Sequence, residues 1–390
     1  ILVSAYWYLK RVFVRINLVL DICKREVFMR AKFFSLLISF TLVLTLGCGG
    51  GDAATLEGPS LSTGRWAHTA TLLQDGRLLI VGGQESMSKA SKVVEIFDPS
   101  TDTWSNTGET LDKRGDGHTA TLLNDGRVLV TGDNEEGSSE IYDPSTGQWS
   151  YTGTMNVERK SASAILLEDG RVLVSGGVDK TRAGRRELDS AEIYDPSSGE
   201  WTVADSMEQI HSNQITILVG GKVFLSGWFL SEIYDPAADL WSPVGEPKRK
   251  YLARGTTATL LNDGTVFMAG GSSFPPNRWQ GDTHFPVASS EIYNPSDGSL
   301  ATSTSMTTPR QYHSAILLKN GDVLIVGGIS MESYNPAAKI WTEVGTLIHE
   351  RDQLHTATML NDGRILIAGG RMETDDKKIR SLSFVLLEIF

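Results

Sequence analysis

Seven times along the chain a short apolar run ends in Asp-Gly or a near equivalent, and a second apolar run follows that closes on Gly-Gly or a variant of it. The turn glycines are Gly76, Gly126, Gly170, Gly221, Gly264, Gly321 and Gly363, spaced by 50, 44, 51, 43, 57 and 42 residues. Six of the units continue into a block like Glu-Ile-Tyr-Asp-Pro, usually with a Trp beyond it. A period of this length built from short strands constrains the architecture more than any single residue does.

Each unit reads as four strands. In the second, His118 to Leu123 is strand a, Asn124-Asp125-Gly126 the turn and Arg127 to Thr131 strand b; Ser138 to Tyr142 is strand c, and Asp143 to Gly147 leads into strand d at Trp149. Asx-Gly supplies the positive φ that a tight hairpin needs, and the β-branched and aromatic runs suit a pleated, packed surface. The units together predict an all-β, seven-bladed β-propeller with four-stranded blades.

Phe97, Tyr142, Tyr194, Tyr234, Tyr293 and Tyr334 are each followed seven positions later by Trp104, Trp149, Trp201, Trp241, Leu300 and Trp341. The diglycine is Gly82-Gly83, Gly176-Gly177, Gly270-Gly271, Gly327-Gly328 and Gly369-Gly370, altered to Gly132-Asp133 and Gly227-Trp228 in units two and four. A diglycine followed by a Tyr and then a Trp resembles the kelch repeat, over residues 55–390. The resemblance implies a propeller with one blade per repeat. The Trp residues at the repeat position are read as packing groups, each able to bury about 150–250 Å².

Strands within a blade alternate in direction, so the a–b and c–d turns share one face of the disc and the b–c loops share the other with the inter-blade connections. The turns are short and uniform, whereas the b–c loops vary: 84–93, 178–190, 272–290 and 371–383. Variable loops on a rigid scaffold are where recognition sits. Candidate ligand-binding residues on that face are Trp279, Phe274 and His284 in the longest loop, close to the inter-blade segments carrying Arg65, Arg114, Arg159, Arg310 and Arg351.

Eight residues before the turn glycines stand His68, His118, Ala162, Asn213, Thr256, His313 and His355. The four histidines fall on consecutive blades of a closed ring and join the candidate set at the channel mouth. One reading gives them a metal or an anionic ligand; the preferred one has each ring hydrogen-bonded to the loop from the preceding strand d, so no metal is expected. On the opposite face, Arg77, Arg127, Arg171 and Lys222 follow the turn glycine where strand c ends in Asp98, Asp143, Asp195 and Asp235. Antiparallel pairing of b with c predicts four ion pairs there.

Ahead of the repeats the composition changes. Residues 1–28 contain no Met and read as an upstream or untranslated segment. In 29–47, Met29-Arg30-Ala31-Lys32 and the apolar run Phe33 to Leu46 read as an export signal, too short for a comfortable membrane span. Gly47-Cys48 at its end resembles a bacterial lipoprotein signal, with Cys48 the lipidation candidate, 48–54 a linker and 55–390 the propeller. The expected location is therefore the cell envelope, through a lipid anchor. Residues 1–47 hold seven Lys or Arg and two Asp or Glu, leaving 29 basic and 45 acidic groups and a net charge of −16 beyond them. Such a surface repels nucleic acid.

Strand c of unit seven breaks off at Ile389-Phe390 with no strand d. Either Thr55 to Leu61 completes that blade, covering its open edge, or further residues do. The repeats also resemble the propeller of galactose oxidase, whose copper radical site uses a Cys cross-linked to a Tyr. The only cysteines are Cys23 and Cys48, both ahead of the propeller, so that chemistry is not expected. No Gly-x-Ser-x-Gly elbow, phosphate loop or paired-Cys motif is present. The sequence thus points to a protein- or glycan-binding module with no catalytic residue and no cofactor; a sugar-active enzyme resembling the kelch-type mutarotases is the alternative.

Overall fold

The computed structural model describes residues 54–57, 60–134, 136–181, 184–210, 215–226, 231–244, 255–273, 285–351, 353–373, 379–381 and 384–388. The expectations placed on residues 1–53, Cys48 among them, and on Phe274, Trp279 and His284 lie outside these.

All seven turn glycines have positive φ, between 77° and 94°, the region a Cβ disfavours. Each turn returns the chain antiparallel, and the repeat folds as read. In blade two, strand a (Thr119–Leu122) pairs with b (Val128–Thr131), b with c (Ser139–Asp143) and c with d (Gln148–Tyr151). Blades one to five repeat this order, and blade seven does so with a twist described below. In blade six, strands b and c run on as one extended stretch, Val323–Asn335, whose first half pairs with a and second half with d. Among the described residues there is no helix.

Strand b is apolar on both faces because it is sandwiched between neighbouring blades. Leu78, Leu79, Ile80 and Val81 are all fully buried, as are Val323, Leu324, Ile325 and Val326. Seven apolar clusters result, each drawn from two successive blades. The cluster of Leu79, Val81 and Ile96 with Val128, Val130 and Tyr142 joins blades one and two; that of Leu78, Ile80 and Phe97 with Leu360, Leu366 and Ala368 joins blade seven back to blade one. The a strands touch in the same circular order around the channel, so the ring is closed. The repeat aromatics pack as expected: ring centroids are 5.1 Å apart in Phe97–Trp104 and 5.0 Å in Tyr142–Trp149 and Tyr334–Trp341.

Blade seven is built from both ends of the propeller. Ala54–Glu57 pairs antiparallel with strand c, Phe384–Glu388, with Thr55 opposite Leu387, the register that sets Tyr142 opposite Trp149 elsewhere. The first of the two readings of the last blade is therefore the one the sheet takes, through a shorter segment than Thr55 to Leu61.

The ion pairs of the short-turn face need correction. Only Lys222 meets its expected partner, at 2.9 Å from Asp235. Arg77, Arg127 and Arg171 turn instead to Asp75, Asp125 and Asp169 of their own hairpins, at 2.6, 2.6 and 2.7 Å. The reason is local: an aspartate two residues back meets the guanidinium without strand crossing, while Asp98, Asp143 and Asp195 accept from Ser100, Ser145 and Ser197. The turn of blade four, Val219-Gly220-Gly221, has no such aspartate, so Lys222 has only the cross-strand one.

Candidate functional site

The loop face is riveted by buried arginines. Arg65, Arg114, Arg159 and Arg351 are wholly buried and Arg310 nearly so, which removes from the binding face the groups the sequence suggested for it. Arg65 reaches Glu95 at 2.5 Å, Arg114 reaches Glu140 at 2.7 Å, Arg159 reaches Glu192 at 3.1 Å and Arg310 reaches Glu332 at 3.0 Å. Each glutamate sits two residues before the repeat aromatic in strand c and also accepts backbone N–H groups of the incoming connection. Glu140 takes Leu111 N at 2.6 Å and Asp112 N at 3.0 Å. Burial pulls the Arg65 and Arg159 guanidiniums below their usual range, against the pull of Glu95 and Glu192.

The diglycine has its cause in the same joint. Gly83 N donates to the Arg114 carbonyl at 2.8 Å and Gly271 N to that of Arg310 at 2.8 Å, each to the connection that leads into the next blade. A Cβ on Gly82 would collide with the Arg114 carbonyl, and one on Gly270 would fall 2.5 Å from the ring of His313. The first glycine thus makes room for the arginine backbone and the histidine of the neighbouring blade.

The four histidines are correspondingly not mouth ligands. His68, His118, His313 and His355 are 5 or 6 % exposed. His68 Nε2 lies 2.9 Å from Thr356 Oγ1, His313 Nε2 2.8 Å from Thr257 Oγ1, and His355 Nε2 donates to the Val326 carbonyl at 3.1 Å. All three reach the preceding blade. His118 does the same through Thr69, at 3.2 Å, and alone also bonds the segment after strand d, through the Gly115 carbonyl at 2.8 Å. Burial pushes His118 and His355 down to about 4 and His313 to about 3, so the rings are neutral near pH 7. Among the described residues no group of three or more His, Cys, Asp or Glu is placed to hold a metal ion.

What the loop face offers instead is a cavity of about 450 Å³ between blades one and two, lined by Lys92, Asp112, Lys113, Asp133, Asn134 and Glu136. Two departures from the repeat make it. In blade one, strand d runs from Thr103 to Arg114, and its ladder with strand c slips so that Ser91 faces Arg114 while Val93 faces Glu109. The bulged residues carry Asp112 and Lys113 to the rim. In blade two the second glycine of the pair is Asp133, which holds a φ of 53° that favours glycine. Next to Asp133, Gly115 permits a close approach: a Cβ there would stand 2.6 Å from Gln84 Nε2 and 2.7 Å from Asp133 Oδ2.

The lining is internally held. Lys160 Nζ is 2.9 Å from Asp133 Oδ1, and Lys92 Nζ donates to the Leu111 carbonyl. Asp112 accepts from Ser138 Oγ, from Asn134 Nδ2 at 3.3 Å and from Tyr151 OH at 3.2 Å. Burial by itself would raise the Asp112 carboxyl; the Ser138 hydroxyl, then Arg114 and Tyr151, outweigh it and hold the group below the usual carboxylate range. Sequence reading missed these residues, although the replacement of glycine by Asp133 was their visible signal.

Seven sheets radiating from a closed ring of a strands, with turns on one face and a charged cavity on the other, define a β-propeller. Two of its segments match the Kelch motif family model, residues 65–109 and 169–208. Kelch-like protein 21 of Mus musculus is 31% identical over 104 residues, 24% of this chain and 17% of that protein. A kelch repeat and BTB domain-containing protein of Caenorhabditis elegans, F47D12.7, is 29% identical over 86 residues, 20% of this chain and 15% of that one. The chain thus matches about a sixth of the length of these relatives. Among solved structures, a fungal alcohol oxidase of the AA5 family in complex with copper superposes with a TM-score of 0.70 at 17% identity, covering 87% of this chain and 76% of that one. YjhT superposes with a TM-score of 0.56 at 15% identity, covering 73% of this chain and 99% of that one. These likenesses are of fold. The oxidase's copper does not fit the described residues here, where the histidines are each turned to a threonine or a carbonyl of a neighbouring blade.

Proposed function

We propose that this chain is a protein-recognition propeller whose contact surface is the loop face, centred on the cavity between blades one and two. The observation that carries the reading is Asp133. A non-glycine residue at a left-handed φ costs on the order of 1 kcal/mol, and such strain gathers at functional sites. Here it places a carboxylate on the rim at the point where blades one, three, five, six and seven keep glycine. The arginines of the inter-blade joints are not offered to a ligand. Those of blades one, two, three and six are spent on glutamates.

The test is a comparison of faces. Proteins retained on the immobilised propeller are identified, and affinities are measured for Glu136→Lys on the loop face and Asp297→Lys on the turn face. Loss with the first alone is the expected result; loss with the second alone overturns the assignment.

From the order of basic stretch, apolar run, Gly47 and Cys48 we also infer export and lipidation at Cys48. Intact-mass measurement of the membrane fraction checks it. A mature chain beginning after Cys48, or a Cys48→Ser form still membrane-bound, contradicts it.

A further inference from the structure

The cavity between blades one and two has more acceptors than its own donors satisfy. Asn134 Nδ2 is fixed by the Ser138 carbonyl at 3.1 Å and by Asp112, so the amide cannot be turned over without setting oxygen against oxygen. Its Oδ1 is then left buried with no partner. Buried polar atoms are ordinarily bonded, so an orphaned acceptor at a cavity marks a donor that arrives from outside. The cations already present do not meet this need. Lys92 is given to the Leu111 carbonyl, Lys160 to Asp133 and Arg114 to Glu140. Lys113 remains, against the exposed carboxylate of Glu136 and the amide oxygen of Asn134.

We propose, building on the loop-face reading above, that this cavity receives the guanidinium of an arginine presented by the protein partner. The group matches the site in number and shape. It carries five N–H donors in a planar fork, suited to a carboxylate and to an amide oxygen at once, where an ammonium is a point charge. The ring of Tyr151, 58% exposed and hydrogen-bonded to Asp112 on the rim, offers the face on which such a plane stacks. The net negative charge of the chain, −11, favours approach of a cationic segment.

The probe is a capped Gly-Gly-Arg-Gly-Gly peptide titrated into the whole protein with ligand-observed NMR, beside its citrulline twin, which keeps the shape and loses the charge. The arginine peptide is expected to bind at least tenfold more tightly than the citrulline one. Glu136→Gln, on an exposed residue, should weaken it about fivefold; Lys113→Gln, which removes the competing cation, should strengthen it two- to threefold. Asp297→Asn on the turn face should change nothing. Equal binding of the two peptides overturns the guanidinium, and indifference to both Glu136→Gln and Lys113→Gln overturns the cavity as its seat. A partner held through the loop face while neither peptide binds sinks this inference and leaves the loop-face reading intact. Weakening by Asp297→Asn alone sinks both.

Discussion

Two arcs of the ring make the same joint in different ways. From blade five round to blade two, every seam carries a histidine that reaches the preceding blade: His313, His355, His68 and His118. At the next seam the histidine position is Ala162, and Thr119 Oγ1, the counterpart of Thr69, Thr257 and Thr356, is buried without a partner. Both arcs keep the buried arginine and glutamate: Arg159 and Glu192 hold blade three as Arg114 and Glu140 hold blade two. The difference teaches a hierarchy in which the ion pair organises a blade and the histidine adds cohesion between blades. The histidine-linked arc includes the seam where the ring closes.

The sharpest break in this comparison would come from the element common to both arcs. Glu140→Ala leaves Arg114 buried beside two unmet N–H groups and should lower stability by about 3–5 kcal/mol in urea unfolding, with a similar loss for Glu192→Ala in the other arc. A much smaller loss would demote the ion pair.

Acid should separate the arcs. His118 and His355 titrate near 4 and His313 near 3 when folded, against about 6.5 when unfolded, and burial lowers His68 as well, so the unfolded chain takes up protons that the folded chain refuses. Their contribution is complete above about pH 6.5 and declines as pH falls towards 4, with about 2 kcal/mol per ring lost by pH 5. Urea midpoints at pH 7.5, 6 and 5 should show this slope, and His118→Gln combined with His355→Gln should flatten it. An unchanged slope would assign the acid loss elsewhere.

Single substitutions can then exchange the two kinds of seam. His118→Ala should cost about 1–3 kcal/mol by stranding Thr69, whereas Ala162→His, offered the waiting Thr119 hydroxyl, should gain about 0.5–1.5 kcal/mol. Smallest of all is the turn face. Arg77→Ala removes an exposed pair confined to one hairpin and should change stability by about 0–1 kcal/mol. Arg364→Ala should exceed it, because Arg364 also grips Asp102 of blade one at 2.7 Å across the closing seam.

The fold was legible because turn chemistry, strand alternation and aromatic spacing all repeat with one period. Even the use of Thr55 opposite the last strand c followed from counting within the repeat. The site was less so. The arginines recur at one repeat position, as do the glutamates two residues before the aromatic, and recurrence of two opposite charges was the sign of a buried pair that the reading passed over. The cavity is harder, since it arises where repeats are broken. Asp133 was seen as a deviation, but Asp112 and Lys113 reach the rim through a bulge in the ladder, which no periodic rule announces. The misplaced ion pairs show a further limit: a local partner two residues away outcompetes a correctly deduced cross-strand one.

Blade seven has a consequence for how the molecule comes into being. Ala54–Glu57 leaves the ribosome before any of its partners and waits for Phe384–Glu388, more than three hundred residues later. Bringing together ends so far apart costs on the order of 5 kcal/mol in loop entropy if the chain between them is unstructured. Folding in order of synthesis removes most of that cost, since blades one to six can stack as they emerge and carry the first strand round to its place. The joining of the two ends is then the last event, a latch that turns an open stack of sheets into a ring.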